Sequence, residues 1–116
     1  MAFVVLYDAC VLYPASVRDL LIRVALTGVV QVRWSEAILD ECFHSIRKQR
    51  PDLDAAALDR TRELMNTTLP GALVYGFDDL IPGLELPDPD DRHVLAAAIR
   101  GSAQAIVTFN LDDFPA

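Results

Sequence analysis

The chain opens on an unbroken apolar run, Phe3-Val4-Val5-Leu6-Tyr7, closed at once by Asp8. A continuous β-branched and aromatic run of this kind reads as a strand buried on both faces, as in a parallel sheet, and it leaves a carboxylate at the strand's carboxyl end. From Pro14 the period changes: Val17, Leu20, Leu21, Val24 and Ala25 recur at helical spacing and stop near Gly28, with Pro14 suited to a first turn. Val29 to Trp34 reads as a second strand. Ser35 then suits a helix cap and Glu36 the positive end of the helix dipole, and the helix runs to Gln49, before Pro51. Asp52 or Asp54 caps a further helix carrying Ala57, Leu58, Thr61, Leu64 and Met65, which ends near Pro70.

Ala72 to Tyr75 predicts a short third strand, and Gly76, Pro82, Gly83, Pro87 and Pro89 punctuate the least regular stretch of the chain. Asp88-Pro89-Asp90-Asp91 has the makings of a helix entrance, with Asp88 as cap, Pro89 at the first helical position and acids in the first turn. That helix continues through Val94 to Ile99 and stops at Gly101, its alanines permitting close approach to a sheet. Ala105 to Thr108 is the last strand, with Asn110, Asp112 and Asp113 at its carboxyl end. Strands separated by helices imply right-handed βαβ units, an α/β class and a mostly parallel sheet. Ligands of such sheets sit outside the strands' carboxyl ends. Here the first and last strands both deliver Asp there, and the helix that begins at Asp91 leads into the last strand.

Composition narrows the class. A chain of 116 residues has room for one core, so a single domain over 1–116 is expected. At 53% hydrophobic and 23% charged it is too apolar for a disordered tail and too poor in charge for a coiled coil. Ten Lys and Arg stand against 17 Asp and Glu, net -7, so no overall basic field exists to hold a phosphate backbone or an anionic membrane. The excess acid is local. Residues 1–77 hold eight basic and nine acidic groups, whereas 78–116 hold only Arg92 and Arg100 against eight acids. Such a cluster is either a solvated face or a site that needs a cation.

Cys10 and Cys42 lie in apolar stretches with no close partner in sequence, so both are expected as reduced, buried small hydrophobes in a soluble, cytoplasmic protein. The opening run lacks the basic leader of a signal peptide, and no apolar stretch approaches the ~18 residues of a membrane span. No Walker loop or GxGxxG motif occurs. Cys42 with His44 falls far short of a zinc site, and His44 and His93 read as partly exposed helix residues. With no positioned Ser or Cys nucleophile in sight, carboxylates remain. Acids converging from separate elements suit hard ions such as Mg²⁺ or Mn²⁺, which activate water and offset charge building on a phosphodiester. Each acid also has a plain structural reading: Asp91 favouring a helix dipole, Asp113 forming a turn, Asp8 beginning a loop.

Four segments then add a resemblance. Val5-Leu6-Tyr7-Asp8-Ala9-Cys10-Val11-Leu12-Tyr13-Pro14, Trp34-Ser35-Glu36-Ala37-Ile38-Leu39-Asp40-Glu41, Asp88-Pro89-Asp90-Asp91-Arg92-His93-Val94-Leu95-Ala96-Ala97-Ala98 and Val107-Thr108-Phe109-Asn110-Leu111-Asp112-Asp113-Phe114-Pro115 resemble, in order, the four blocks of the PIN-domain ribonucleases. The chain is most similar to the bacterial and archaeal members that include VapC-type toxins. The resemblance implies a three-layer α/β/α fold and a Mg²⁺- or Mn²⁺-dependent endoribonuclease site. It assigns Asp8 and Asp91 as principal metal ligands and Glu41 as the second acidic position, a choice over Glu36 and Asp40 that helical spacing cannot make. The fourth position departs from the pattern: Asn110 offers a carbonyl oxygen without charge, so Asp113 is the candidate fourth carboxylate, with Thr108 and Asn110 in support. Arg92, Arg100, Arg47, Lys48 and Arg50 are candidate phosphate-holding groups.

The resemblance further implies an RNA substrate, an antitoxin protein as partner, and a homodimer. Family members commonly continue past the Asp-Phe-Pro segment, so the expectation is either a chain cut short at its C-terminus or the front domain of a longer protein. Two other classes stay open on sequence: a non-catalytic PIN-like interaction module, and a small acidic metal-dependent phosphohydrolase.

Overall fold

The structure, a computed structural model, describes residues 3–109. Three parallel strands form its sheet in the order β2-β1-β3: β1 (Phe3–Tyr7), β2 (Val30–Arg33) and β3 (Ala105–Val107). The first strand is central, which is why its run is apolar throughout: Val5, Leu6 and Tyr7 are buried. Val5 aligns with Val32 on one side and with Ala105 on the other, and Tyr7 aligns with Val107. Helices α1 (Ala9–Leu12), α2 (Ala15–Leu26), α3 (Glu36–Gln49), α4 (Ala55–Thr68) and α5 (Arg92–Arg100) cover the sheet in the three-layer α/β/α arrangement expected.

Local chemistry accounts for the boundaries. Ser35 is fully buried, and its Oγ accepts the Ile38 N–H at 3.1 Å, starting α3. Asp54, and not Asp52, caps α4 by accepting the Ala56 N–H at 3.1 Å, whereas Asp52 turns back to Arg50. Trp34 is fully buried at the end of β2, and its indole N–H donates to Asn66 Oδ1 of α4 at 2.8 Å. Gly101 is required by close approach: a Cβ there would meet Val74 Cγ2 at 3.0 Å and the Ala97 carbonyl oxygen at 3.1 Å.

Several elements differ from the expectation. Ala72 to Tyr75 is not a strand; it keeps one parallel bridge, Trp34 to Leu73, because Gly76 turns the chain away at φ +71 and leaves Tyr75 exposed. An unforeseen turn of helix, α1, follows Asp8, so Pro14 is the extended residue capping α2 rather than part of its first turn. Of the apolar positions in α2 only Ala25 is buried; Leu20 and Val24 face solvent. The Asp88 entrance has two stages: Asp88 caps a 3₁₀ turn over Pro89–Asp91, and α5 starts after it with Asp91 as its cap residue. Part of the irregular stretch is a second 3₁₀ segment, Asp78–Gly83.

Candidate active site

Because β1 and β3 are parallel neighbours, their carboxyl ends lie side by side, and the residue after each meets the other. The Asp8 N–H donates to the Val107 carbonyl at 3.1 Å, extending the ladder by one bond. The Asp8 side chain, 5% exposed, accepts the Ala9 N–H on Oδ1 at 2.7 Å and the Thr108 hydroxyl on Oδ2 at 3.0 Å. A carboxylate held through both oxygens in this way has a defined direction before any ligand arrives.

Cys10 completes the corner and corrects the expectation of a buried hydrophobe. It is half-buried, and its Sγ lies 3.3 Å from Thr108 Oγ1 and 3.7 Å from Asp8 Oδ2, while the Phe109 N–H donates to it at 3.3 Å. The Thr108 hydroxyl donates to Asp8, which leaves the Cys10 thiol proton to Asp8 Oδ2 or to the Thr108 oxygen. Cys10 thereby ties the segment after β3 to the turn after β1. Its position two residues beyond a strand-ending Asp was the available sequence signal. Cys42, by contrast, is 1% exposed, and burial pushes its thiol up to about 11.

On α3 the structure separates the three acids. Arg62 of α4 pairs with Glu36, and with Asp40 at 2.7 Å, so both are turned to the neighbouring helix. Glu41 lies on the side of Asp8 instead. Its carboxyl is raised above the usual range, first by burial and then by the Asp8 charge, with Asp88 and Asp90 adding to the rise and His93 opposing it. His93 Nε2 stands 3.7 Å from Glu41 Oε2, and His93 Nδ1 is buried without a hydrogen-bond partner among the described residues. His93 belongs to this neighbourhood, which its helical spacing alone did not indicate; His44 is exposed.

Asp91 sits at the head of α5, half-buried. Asn110 and Asp113 lie outside the described residues. Among the described residues, no group of three His, Cys, Asp or Glu side chains is arranged to hold a metal ion. The donor set of Asp8 and Glu41 still fits a hard cation, being carboxylate oxygens whose mutual repulsion helps raise Glu41, with no Lys or Arg ion pair to either among the described residues. The arginines considered for phosphate are engaged locally: Arg47 with Asp59, Arg50 with Asp52, Arg100 with Asp79, and Arg92 with the Pro89 carbonyl. No helix of the described residues is long and apolar enough to cross a membrane.

A family model described as PIN domain matches residues 4–112. Among curated proteins, one named "Putative ribonuclease VapC50", from Mycobacterium tuberculosis, is 50% identical over 44 residues, which is 38% of this chain and 25% of that protein. The matched segment thus spans a quarter of that relative's length. No solved structure matches.

Proposed function

The chain belongs to the PIN-domain family, and from that we propose that it is a divalent-metal-dependent endoribonuclease, the toxin of a toxin–antitoxin pair. The observation that carries the reading is the corner where Asp8 and Glu41 share one field with no Lys or Arg ion pair to either among the described residues. Asp8, Glu41 and Asp91 are the residues we assign to hold Mg²⁺ or Mn²⁺, with Asp113 as the fourth carboxylate and Asn110 in support. What such an ion supplies when bound is a lowered pKa for water and neutralisation of the charge that builds on the phosphodiester.

The protein's own groups prepare the site. Thr108 orients Asp8 Oδ2, and the Ala9 N–H fixes Oδ1. Glu36 and Asp40, one turn apart on the same face of α3, pair with Arg62, and Glu41 lies about 100° round the helix from Asp40, off that face. The concentration of acids also accounts for partners: the apo surface repels RNA until cations are bound, and a basic segment of an antitoxin suits the same acidic corner. The exposed Leu20 and Val24 on α2 supply an apolar patch for the homodimer. A cytoplasmic location follows from this role, with residues 1–116 forming the PIN domain.

Incubation of labelled single-stranded RNA with Mg²⁺ or Mn²⁺ tests the reading. Cleavage is expected from the wild type, with a loss of at least about 100-fold in Asp8→Asn at unchanged far-UV circular dichroism. Full cleavage by that variant would overturn the assignment. Failure of millimolar Mn²⁺ to raise the melting temperature would favour the non-catalytic module.

A further inference from the structure

Beside the acidic corner an open cleft of about 390 Å³ runs between α1 and α3, with Cys10 and Glu41 at the end it shares with the corner and Tyr13, Ser45 and Gln49 along it. We infer that this cleft seats one unpaired nucleotide of the RNA next to the scissile phosphate, its base against Tyr13 and its flanking phosphate on Lys48. The inference deepens the ribonuclease reading and rests on it.

Three observations converge. The cleft is continuous with the acids through Cys10 and Glu41, so whatever lies in it adjoins the group held at Asp8. Its volume is at the lower end of the roughly 300–1,000 Å³ of small-molecule sites, the scale of a single nucleoside. Its walls carry an aromatic residue and two uncharged polar ones, Ser45 and Gln49, which make no side-chain hydrogen bond to any described residue. A splayed-out base is recognised by that combination, stacking on an aromatic side chain and hydrogen bonding along its edge, whereas a base inside a duplex cannot leave its stack without cost.

Charge is ordered along the same helix. Glu41, Ser45 and Lys48 follow at spacings of four and three residues on one side of α3, and Lys48 lies about 10 Å beyond Glu41 at the helical rise. Arg47 and Arg50 beside it are each paired with an aspartate, but Lys48 has no ion pair among the described residues. A strand leaving the acidic corner therefore passes the base-sized cleft and reaches an uncommitted cation.

A fluorescein-labelled single-stranded RNA decamer is the probe, bound to the Asp8→Asn protein to prevent cleavage and also cleaved by the otherwise wild-type protein. Tyr13→Leu is expected to weaken binding about tenfold or more and to raise KM more than it lowers kcat, while Tyr13→Phe, which keeps the ring and the packing, retains affinity. Lys48→Ala should reduce the slope of log Kd against log salt by about 0.7, one phosphate on a single strand. A duplex of the same sequence should bind more weakly. If the wild type cleaves the decamer while Tyr13→Leu and Lys48→Ala bind and cleave it unchanged, the inference is overturned, the nuclease reading stands, and the cleft falls to a protein segment. If the wild type never cleaves yet these variants lose affinity, the nucleotide seat stands and the nuclease reading falls.

Discussion

Two faces of the first half of α3 treat their acids in opposite ways. At its start and outer side, Glu36 and Asp40 are drawn to Arg62 of α4, so these carboxylates join helix to helix. Facing the sheet's carboxyl edge, Glu41 has no arginine or lysine pair among the described residues, only His93 at 3.7 Å, and its proton is held more tightly because of burial and the Asp8 charge. One region spends its charge on the fold; the other keeps a half-exposed carboxylate that only His93 offsets, among the described residues, next to a buried, directed one. The difference separates acids committed to the fold from the one we assign to the site, and it does so through partners and not through residue type.

Four experiments break or sharpen that contrast, beginning with the largest effect. Asp8→Asn should cost at least about 100-fold in RNA cleavage and abolish stabilisation by Mn²⁺, because a neutral amide keeps the Ala9 contact but loses the charge. Arg62→Ala should do the reverse, lowering stability by about 1 kcal/mol through two half-exposed pairs while leaving cleavage unchanged. A cleavage defect in that variant would mean that the outer acids are not separate from the site.

The third test makes similar substitutions of two acids on one helix. Asp40→Asn should lower the melting temperature slightly, since it removes a partner of Arg62, whereas Glu41→Gln should raise it slightly at neutral pH and reduce cleavage. The sign follows from linkage: the folded-state pKa of Glu41 is raised, so its ionisation opposes folding, and the cost is absent below the unfolded pKa and grows as pH rises through the folded one. The gain from Glu41→Gln should therefore vanish in acid. A fall in melting temperature at pH 7 would contradict the claim that ionised Glu41 opposes folding. The smallest effect is a labelling difference. With iodoacetamide near pH ~8, Cys10 should be alkylated and Cys42, buried and raised to about 11, should not, giving one adduct in the intact mass. Two adducts would show that α3 opens from the core.

Much of this architecture is written locally. The apolar run of β1, the Ser35 cap, the break at Gly28 and the alanine-rich α5 each follow from period, cap chemistry or a single residue's backbone, and all depend on neighbours a few positions away. The strand expected over Ala72 to Tyr75 failed because a strand's length depends on a partner's edge, and there Trp34 offers a single bridge. The α2 stripe shows a related limit: helical spacing reveals an apolar face but not whether anything in the same chain covers it.

The candidate site divides along the same line. Asp8 at a strand's carboxyl end was legible from the run before it, and the approach of Thr108 to it required only that the first and last strands be parallel neighbours. Which acid of α3 lies towards Asp8 was not legible, because a helical wheel groups Glu36 with Asp40 and sets Glu41 about 100° away without saying which face meets the sheet's edge and which meets Arg62 of another helix. Cys10 was hidden for the opposite reason, an apolar context in sequence that becomes a polar one when a segment 98 residues away folds against it. Short-range patterning specifies each element and its ends, since those energies are set within a turn or two of the chain; the partnering of charges and thiols is a long-range outcome, set by which surfaces the packed elements bring together.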